Sequence, residues 1–336
     1  MTADQILLAH GSGGRLTHEL VKTLFREAFA NPALDRMEDA AVLPGMPGRI
    51  ALTTDSYVVQ PLFFPGGDIG KLAVCGTVND LAMVGARPLY LTAGFILEEG
   101  LALEDLRQVV SSMARAAREA GVAIVSGDTK VVGRGNADKL FINTAGIGWI
   151  PEGVNLAPRQ VRPGDRILVS GTLGDHGMAI LCQREGLRFE SALESDCAPL
   201  NGLVETLLKG HPGIRVMRDP TRGGLATTLV ELAQGSGCGF EIEETRIPVR
   251  EAVRSVCELL GFDPLYVANE GKLIAIVAAD EAEALLGVMK DHPLGGNAAL
   301  IGSAVEAHPG KVVLRTPLGV SRLLEMLSGE QLPRIC

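Results

Sequence analysis

The sequence predicts an α+β fold of two comparable domains. Both halves of the 336-residue chain alternate apolar runs of strand length with stretches of helical periodicity, in similar proportion. The periodicity lapses at 149–165 (WIPEGVNLAPRQVRPGD), where three prolines occur. We therefore expect domains at residues 1–150 and 151–327, followed by a flexible tail at residues 328–336.

The first domain begins with apolar residues at helical spacing, which predict a helix over 17–30. IALTTDSYVV at 50–59 predicts a strand that breaks at Asp55, and residues 69–85 predict a second helix. An amphipathic helix is expected over 104–120, ending at Gly121. VAIVSGD and KLFINTAGIGWI predict the strands that follow, separated by a turn.

The second domain opens with the strand RILVS and a strand-to-helix connection, SGTLGDHGMAILCQREG. Further helices are expected near 201–209, 223–234, 249–260 and 281–290. Strands are expected at FEIEET, 272–279, 298–305 and 311–315.

Composition and charge exclude several classes of function. The net charge is −9 and Lys/Arg runs are absent, so we expect no nucleic-acid partner. LIAIVAA at 273–279 is far too short to span a membrane, and MTADQILLAH is no signal peptide, so we expect a cytoplasmic protein with no membrane partner. Six cysteines without a CxxC pair indicate neither a disulfide framework nor a metal cluster; five are expected to be buried.

The first half carries separated acidic residues, Asp39 (after Glu38), Asp55, Asp80 and Asp128, which we expect at strand ends and turns. Carboxylates gathered at one site repel one another unless a cation compensates, and Mg²⁺ takes oxygen ligands. Together with Lys130 they would suit a nucleotide site. The other interpretation is that each is a helix cap or turn former. GGDIGKLA at 66–73 is not a P-loop, since a proline precedes it and leucine replaces the Ser/Thr.

Two features stand apart from this set. Glu270 lies between two apolar runs (ANEGKL), where a carboxylate is either a turn residue or a general base. The chain ends in PRIC, and a thiol at Cys336 is either incidental to a disordered end or a substrate carried between sites. Asp175 and Asp219 are expected to be turn or cap residues near helix starts.

Several strings in order along nearly the whole chain resemble the HypE family of hydrogenase maturation factors. They include AHGSGG, VNDLAMVGARP, GFILEEG, SGDTKVV, SGTLGDHG, DPTRGG, NEGKL and the terminal PRIC. The wider superfamily resembles aminoimidazole ribonucleotide synthetase. The resemblance implies a PurM-like architecture in which the N-terminal domain pairs its sheet in a homodimer, beside an α/β C-terminal domain.

The resemblance also implies a reaction. A carbamoyltransferase loads a carbamoyl group onto Cys336, and ATP-dependent dehydration converts it to a thiocyanate. The cyano group then passes to iron held by scaffold proteins of nickel–iron hydrogenase maturation.

By the same resemblance Asp39, Asp55, Asp80 and Asp128 would hold Mg²⁺ and the triphosphate of ATP, with Asn79 close by. Lys130 would stabilise the transferred phosphoryl group, Glu270 would take a proton from nitrogen, and Cys336 would be the modified residue. The superfamily often has two aspartates where this chain has Glu38-Asp39, so the role of Glu38 is left open.

Two alternatives remain. An ATP-dependent phosphoryl-transfer enzyme acting on a free metabolite would keep its turnover when the last four residues are deleted. A dimeric scaffold whose tail docks a partner would not hydrolyse ATP.

Overall fold

The computed structural model describes residues 5–37, 40–45, 48–187, 193–329, 332 and 335. Two predicted site residues, Asp39 and Cys336, lie outside the described residues. Two separate main sheets with helices packed on them confirm the predicted α+β class. No helix among the described residues is long and apolar enough to cross a membrane.

The N-terminal domain is built on a four-stranded sheet in the order β1-β6-β4-β5. β4 runs parallel to β5, and the other pairs are antiparallel. A short hairpin, β2 and β3, precedes the buried helix α3. The elements are β1 (Arg49–Tyr57), β2 (Phe63–Phe64), β3 (Gly67–Asp68), β4 (Arg87–Glu98), β5 (Ala123–Val132), β6 (Leu140–Ile150), α1 (Arg15–Leu20), α2 (Arg26–Ala28), α3 (Ile69–Met83) and α4 (Leu103–Ala120).

One face of this sheet is covered and the other is open. The hydroxyl of Thr144 on β6 lies 2.5 Å from that of Thr77 and donates to the carbonyl of Ala73, both on α3, so this face packs on the helix. Because side chains alternate along a strand, the neighbouring rows point away from α3. That outer face leaves Ile50, Leu52 and Ile96 exposed.

The C-terminal domain has a seven-stranded sheet in the order β13-β12-β9-β11-β7-β10-β8. Its central strands β7 and β10 are almost wholly apolar because helices cover both faces. The elements are β7 (Arg166–Val169), β8 (Ile214–Arg218), β9 (Gly239–Glu243), β10 (Ile274–Val277), β11 (Ala299–Val305), β12 (Val312–Arg315), β13 (Ser321–Leu324), α5 (Asp175–Glu185), α6 (Asn201–Leu208), α7 (Gly224–Ser236), α8 (Glu251–Leu260) and α9 (Ala282–Asp291).

The expectation that the acidic residues mark strand ends and turns is wrong for the three that the structure describes. Asp55 lies inside β1 opposite Thr144, so the strand does not break there. Asp128 lies inside β5 opposite Gly94, and Asp80 lies within α3. The ladder continues through both strand positions because each backbone keeps its partner strand, whatever the side chain.

Two described residues of the tail pack against the protein. Ile335, in the segment we expected to be flexible, is buried in the core cluster that includes Cys197 and Ala268. Leu332 packs against the same cluster, partly buried. The end of the chain therefore enters the space between the two domains. The proline-rich stretch at 149–165 lies largely between β6 and β7. β6 ends at Ile150, where the boundary between the domains was predicted.

Candidate active site

Three carboxylates from the two domains lie near β1, close enough to affect one another's pKa. Asp55 is on β1, and Asp80 on α3 accepts a hydrogen bond from Thr53 Oγ1 at 2.9 Å. Asp219 follows the end of β8 and comes from the C-terminal domain. Thr53, Asp80 and Asp219 line one cleft. Arg222 lies 3.4 Å from the carboxylate of Asp55, so one cation already faces the group.

The electrostatics of this group indicate unbalanced negative charge. Burial is the main cause that raises the pKa of Asp80, and the charge of Asp55 adds to it. Burial likewise raises the pKa of Asp219 to about 7, with Asp80 the next cause. Carboxylates that raise one another's pKa in this way form an environment suited to a cation.

The residues present fit a magnesium ion in kind, since they offer carboxylate oxygens and no sulfur or imidazole. Asp55 and Asp80 belong to the predicted ligand set, and Asp219 adds a third carboxylate. Among the described residues no group of three or more His, Cys, Asp or Glu is close enough together to form a metal centre. The predicted metal ligands therefore stay a prediction.

Asp128 and Lys130 lie elsewhere in the chain. Both are exposed on β5, with their charged atoms 3.8 Å apart. Asp128 is in the row that runs through Gly94 and Asn143 to Ser56, on the outer face of the sheet. Asp55 is in the next row and faces α3. With β1 and β5 at opposite edges, three strand spacings separate the two groups by about 14 Å, so one chain does not gather all the predicted residues.

Asn79 has a different environment from the one expected of a nucleotide ligand. It is almost fully buried, and its amide nitrogen donates to the carbonyls of Ala198 at 3.1 Å and Glu270 at 3.2 Å. Its carbonyl oxygen accepts from the amide of Leu200 at 2.7 Å. The side chain thus joins α3 to two segments of the C-terminal domain, and its role in nucleotide binding stays a prediction.

Glu270 lies on a bend and is 3% exposed. Burial raises its pKa well above the ordinary range, and the charges of Cys197, Asp219, Asp196 and Asp55 act in the same direction. Asp196 Oδ1 accepts from the amide of Glu270 at 3.0 Å, and the next residue, Gly271, packs directly on the backbone of Asp196. A carboxylate whose pKa is raised in this way takes up a proton more readily than an exposed glutamate.

Two residues near the predicted site, Asp219 and His176, are not among the residues that the sequence predicts for it. Asp219 was interpreted only as a turn or cap residue, and nothing in DPTRGG reveals that it faces Asp80 in the other domain. His176, in SGTLGDHG, is fully buried and contacts the tail: its Nε2 lies 2.6 Å from the carbonyl oxygen of Ile335. The sequence shows a histidine at the second position of the helix that follows SGTLGD. It does not show the partner of this histidine, which lies 159 residues further along the chain.

The chain is similar to known proteins over nearly its whole length. The family described as AIR synthase related protein, N-terminal domain, matches residues 37–150, and its C-terminal counterpart matches residues 162–315. A carbamoyl dehydratase HypE from Azotobacter vinelandii is 58% identical over 329 residues, which are 98% of this chain and 96% of the relative.

Two crystal structures extend the comparison. That of the hydrogenase maturation protein HypE in complex with ATP is 56% identical, with a TM-score of 0.95, and the match covers 98% of this chain and 99% of that chain. That of a HypE–HypF complex is 52% identical, with a TM-score of 0.81, covering 94% of this chain and 100% of that chain.

Proposed function

The chain belongs to the HypE family of carbamoyl dehydratases, and from this premise we propose that it dehydrates a carbamoyl group on its own Cys336. The observation that carries the proposal is the packing of Ile335 into the core cluster that contains Cys197 and Ala268, near Glu270. Ile335, the residue before Cys336, is buried in contact with His176, and Asp196 and Cys197 lie beside both Glu270 and this pocket.

The chemistry requires an activated oxygen and the loss of two protons. A thiocarbamate, S–C(=O)–NH₂, has a poor leaving group in its carbonyl oxygen. Phosphoryl transfer from ATP to that oxygen, with loss of one N–H proton, gives an O-phosphoryl imidate. Departure of phosphate with the second N–H proton gives S–C≡N, ADP and phosphate. Glu270, with its raised pKa, is the proposed acceptor of a nitrogen proton.

Burial of the site has a second consequence. Glu270 and Ile335 are both buried, so a tail docked in this way excludes water from the cleft. Exclusion of water protects a phosphorylated intermediate from hydrolysis. We propose that the tail serves both as substrate carrier and as the closure of its own site.

ATP and magnesium enter as proposals for this chain. The ATP complex of a 56% identical HypE supports ATP as the phosphoryl donor. Asp55 and Asp80, the described residues of the predicted set near β1, would supply oxygen ligands to a magnesium ion, which when bound neutralises phosphate charge. Asp39 and Asp128 remain predicted members of that set, and Lys130 the predicted stabiliser of the transferred phosphoryl group.

We further propose that the site is completed by a second copy of the chain. Asp128 and Lys130 point from the outer face of the sheet, while Asp55 and Asp80 lie at the opposite edge, toward α3. The outer face also exposes Ile50, Leu52 and Ile96. A homodimer that pairs these faces would bury the apolar residues and bring Asp128 and Lys130 of one chain toward the β1 edge of the other, where Asp55 and Asp80 lie.

The partners follow from the same reaction. A protein must load Cys336, and the HypE–HypF complex of a 52% identical relative supports a protein partner of this kind. We propose a carbamoyltransferase for that step and an iron-holding scaffold of hydrogenase maturation as the acceptor of the cyano group.

Intact mass spectrometry tests the reaction. The full-length protein is incubated with the carbamoyltransferase, carbamoyl phosphate and MgATP, beside a Cys336→Ala control. We expect a carbamoyl adduct that then loses one water, only with Cys336 and only with hydrolysable ATP. ATP consumption on a free metabolite without any mass change, unaffected by deletion of the last four residues, would instead establish the phosphoryl-transfer alternative.

Mixed dimers test the composite site. Asp128→Asn and Glu270→Gln chains are each expected to be inactive. If one site takes Asp128 and Glu270 from different chains, a hybrid dimer contains one intact site and one doubly altered site. Random mixing should then restore about a quarter of the sites, because half of the dimers are hybrids. No recovery in verified hybrid dimers would place both residues in the same chain's site.

A further inference from the structure

The carbonyl of the penultimate residue meets a fully buried histidine. His176 Nε2 lies 2.6 Å from the oxygen of Ile335, and both residues are buried. A backbone carbonyl can only accept a hydrogen bond. The Nε2 atom must therefore carry the proton in this contact.

The other ring nitrogen is paired as well. His176 Nδ1 lies 2.8 Å from Ser195 Oγ, which in turn accepts from the amide of Cys197 at 3.1 Å. Burial lowers the pKa of His176, so the ring is neutral and Nδ1 accepts the hydroxyl proton of Ser195. The chain of donors thus runs in one direction, from Cys197 through Ser195 and His176 to the tail.

Packing holds the ring in this orientation. The edge of the imidazole meets the ring of Phe64 at 87°, with centroids 5.7 Å apart. Gly177 follows immediately, and a Cβ atom there would lie 2.5 Å from Val267 and 3.2 Å from Leu332. The absence of a side chain at Gly177 therefore lets the start of α5 pack closely against Val267, with Leu332 of the tail beside it.

The same short segment positions the proposed base. Asp196, between Ser195 and Cys197, accepts from the amide of Glu270 at 3.0 Å, and its other oxygen lies 3.1 Å from Lys272 Nζ. Segment 195–197 thus holds the imidazole on one side and Glu270 on the other. Cys336 is the next residue in the chain after Ile335.

We propose that His176 is a positioning residue that seats the tail, holding the Ile335 carbonyl through Nε2–H so that the carbamoyl group on Cys336 is presented to Glu270. The proposal rests on the proposed function and deepens it. A single hydrogen bond to the backbone suits this task because it holds the tail without preventing its release to the loading partner. Because this hydrogen bond is made to a backbone carbonyl, it can form whether the Cys336 thiol is free, carbamoylated or cyanated.

The alkylation rate of Cys336 by N-ethylmaleimide, followed by peptide mass in the full-length protein, measures how long the tail is seated. The five described cysteines are buried, so Cys336 is the expected reactive thiol. His176→Phe keeps a ring beside Phe64 but removes the donor, and should raise the rate by roughly three- to tenfold, the effect of one net hydrogen bond. His176→Gln retains a donor at the position of Nε2 and should remain within about twofold of the unaltered rate.

Two further variants frame the result. Ser195→Ala removes the hydroxyl that fixes the tautomer of His176, and should raise the alkylation rate of Cys336 by a smaller factor. This variant replaces His176→Phe as the test if His176→Phe fails to fold. His18→Gln, at an exposed position on α1, is the matched control and should change nothing. Equal rates for His176→Phe, Ser195→Ala and the unaltered protein would overturn the proposal, as would equal defects in His176→Phe and His176→Gln.

Single-turnover dehydration of the pre-carbamoylated protein gives the second readout. His176→Phe should slow the loss of water by the same factor that it frees the tail, with unchanged KM for ATP, and His176→Gln should restore the rate. If His176→Phe is alkylated faster but the unaltered protein shows no dehydration, the proposed function is refuted while the contact between His176 and Ile335 stands. Normal dehydration in a His176→Phe protein with a freed tail would refute the positioning role.

Discussion

Replacement of Asn79 by alanine is expected to destabilise the junction between the domains. The amide of Asn79 satisfies three backbone groups: the carbonyls of Ala198 and Glu270 and the N–H of Leu200. Asn79 is 1% exposed, so water cannot replace these bonds without opening the junction. An unsatisfied buried N–H costs about 1–3 kcal/mol and each lost hydrogen bond about 0.5–1.5 kcal/mol, which together give roughly 2–5 kcal/mol.

That loss is measurable as a shift in Tm. An unfolding entropy of about 2 cal/mol/K per residue gives roughly 0.7 kcal/mol/K for a chain of this length, so Tm should fall by about 3–7 °C. Asn79→Asp keeps the acceptor for Leu200 but turns an oxygen toward two carbonyls, and should be at least as destabilising. Asn297→Ala is the matched control, because that asparagine is exposed in a turn after α9.

The assay is thermal unfolding by calorimetry, with hydrogen exchange at residues 198–200 and ATP binding measured beside it. Faster exchange at the Leu200 amide in Asn79→Ala would locate the damage at the junction. If Tm and exchange are unchanged while ATP affinity falls by an order of magnitude, the structural role assigned to Asn79 is wrong and the predicted nucleotide contact is right.

Three further predictions follow from the same cleft. Glu270→Gln should leave carbamoylation of Cys336 intact and slow the ATP-dependent loss of water by about 10²–10⁴-fold, since a general base is removed; a smaller loss in the mass assay would assign proton removal elsewhere. Because the pKa of Asp219 is about 7 in the folded chain and near 4 when unfolded, the folded state holds an extra proton between these values and stability falls as pH rises through them. Asp219→Asn should therefore stabilise the metal-free protein more at pH 8 than at pH 5, by no more than about 4 kcal/mol in the free energy of unfolding. Tm measured at the two pH values tests this, and a pH-independent effect would contradict the assignment. Gly271→Ala would set a Cβ atom against the carbonyl of Asp196 and should displace Glu270, lowering both Tm and the dehydration rate; Gly287→Ala, where the added atom meets nothing within 4 Å, is the control.

Local pattern was enough for most elements. The helices over α3 and α4 lie within two residues of their predicted bounds, because long periodic segments carry their own signal. The burial of five cysteines and the bend at Glu270 were likewise expected from neighbouring residues alone. The strand predictions stopped short at Asp55 and Asp128, where an acidic side chain was interpreted as a boundary, and they missed β4, β8 and β13 altogether.

The distribution of the site was decided by pairing across the sheet. Asp55 and Asp128 each occur in a strand of the same sheet, but one residue of register places their side chains on opposite faces. No property of the isolated segments specifies that register. The expectation that all the aspartates converge within one chain therefore could not be corrected from the sequence, nor could the approach of Asp219 to Asp80 from the other domain.

The sequence by itself determined the two-domain α+β class, most helices and the residues that resemble a family site, because each depends on spacing over a few turns or on strings in order. Only the tertiary structure decided that Asn79 joins the domains, that Asp128 lies apart from Asp55, and that His176 meets Ile335. These contacts of Asn79 and His176 span 119 to 191 residues of chain. Their physical cause is burial: once the two domains close on the tail, each polar group inside must find a partner, and the partner is set by the fold rather than by its neighbours in sequence.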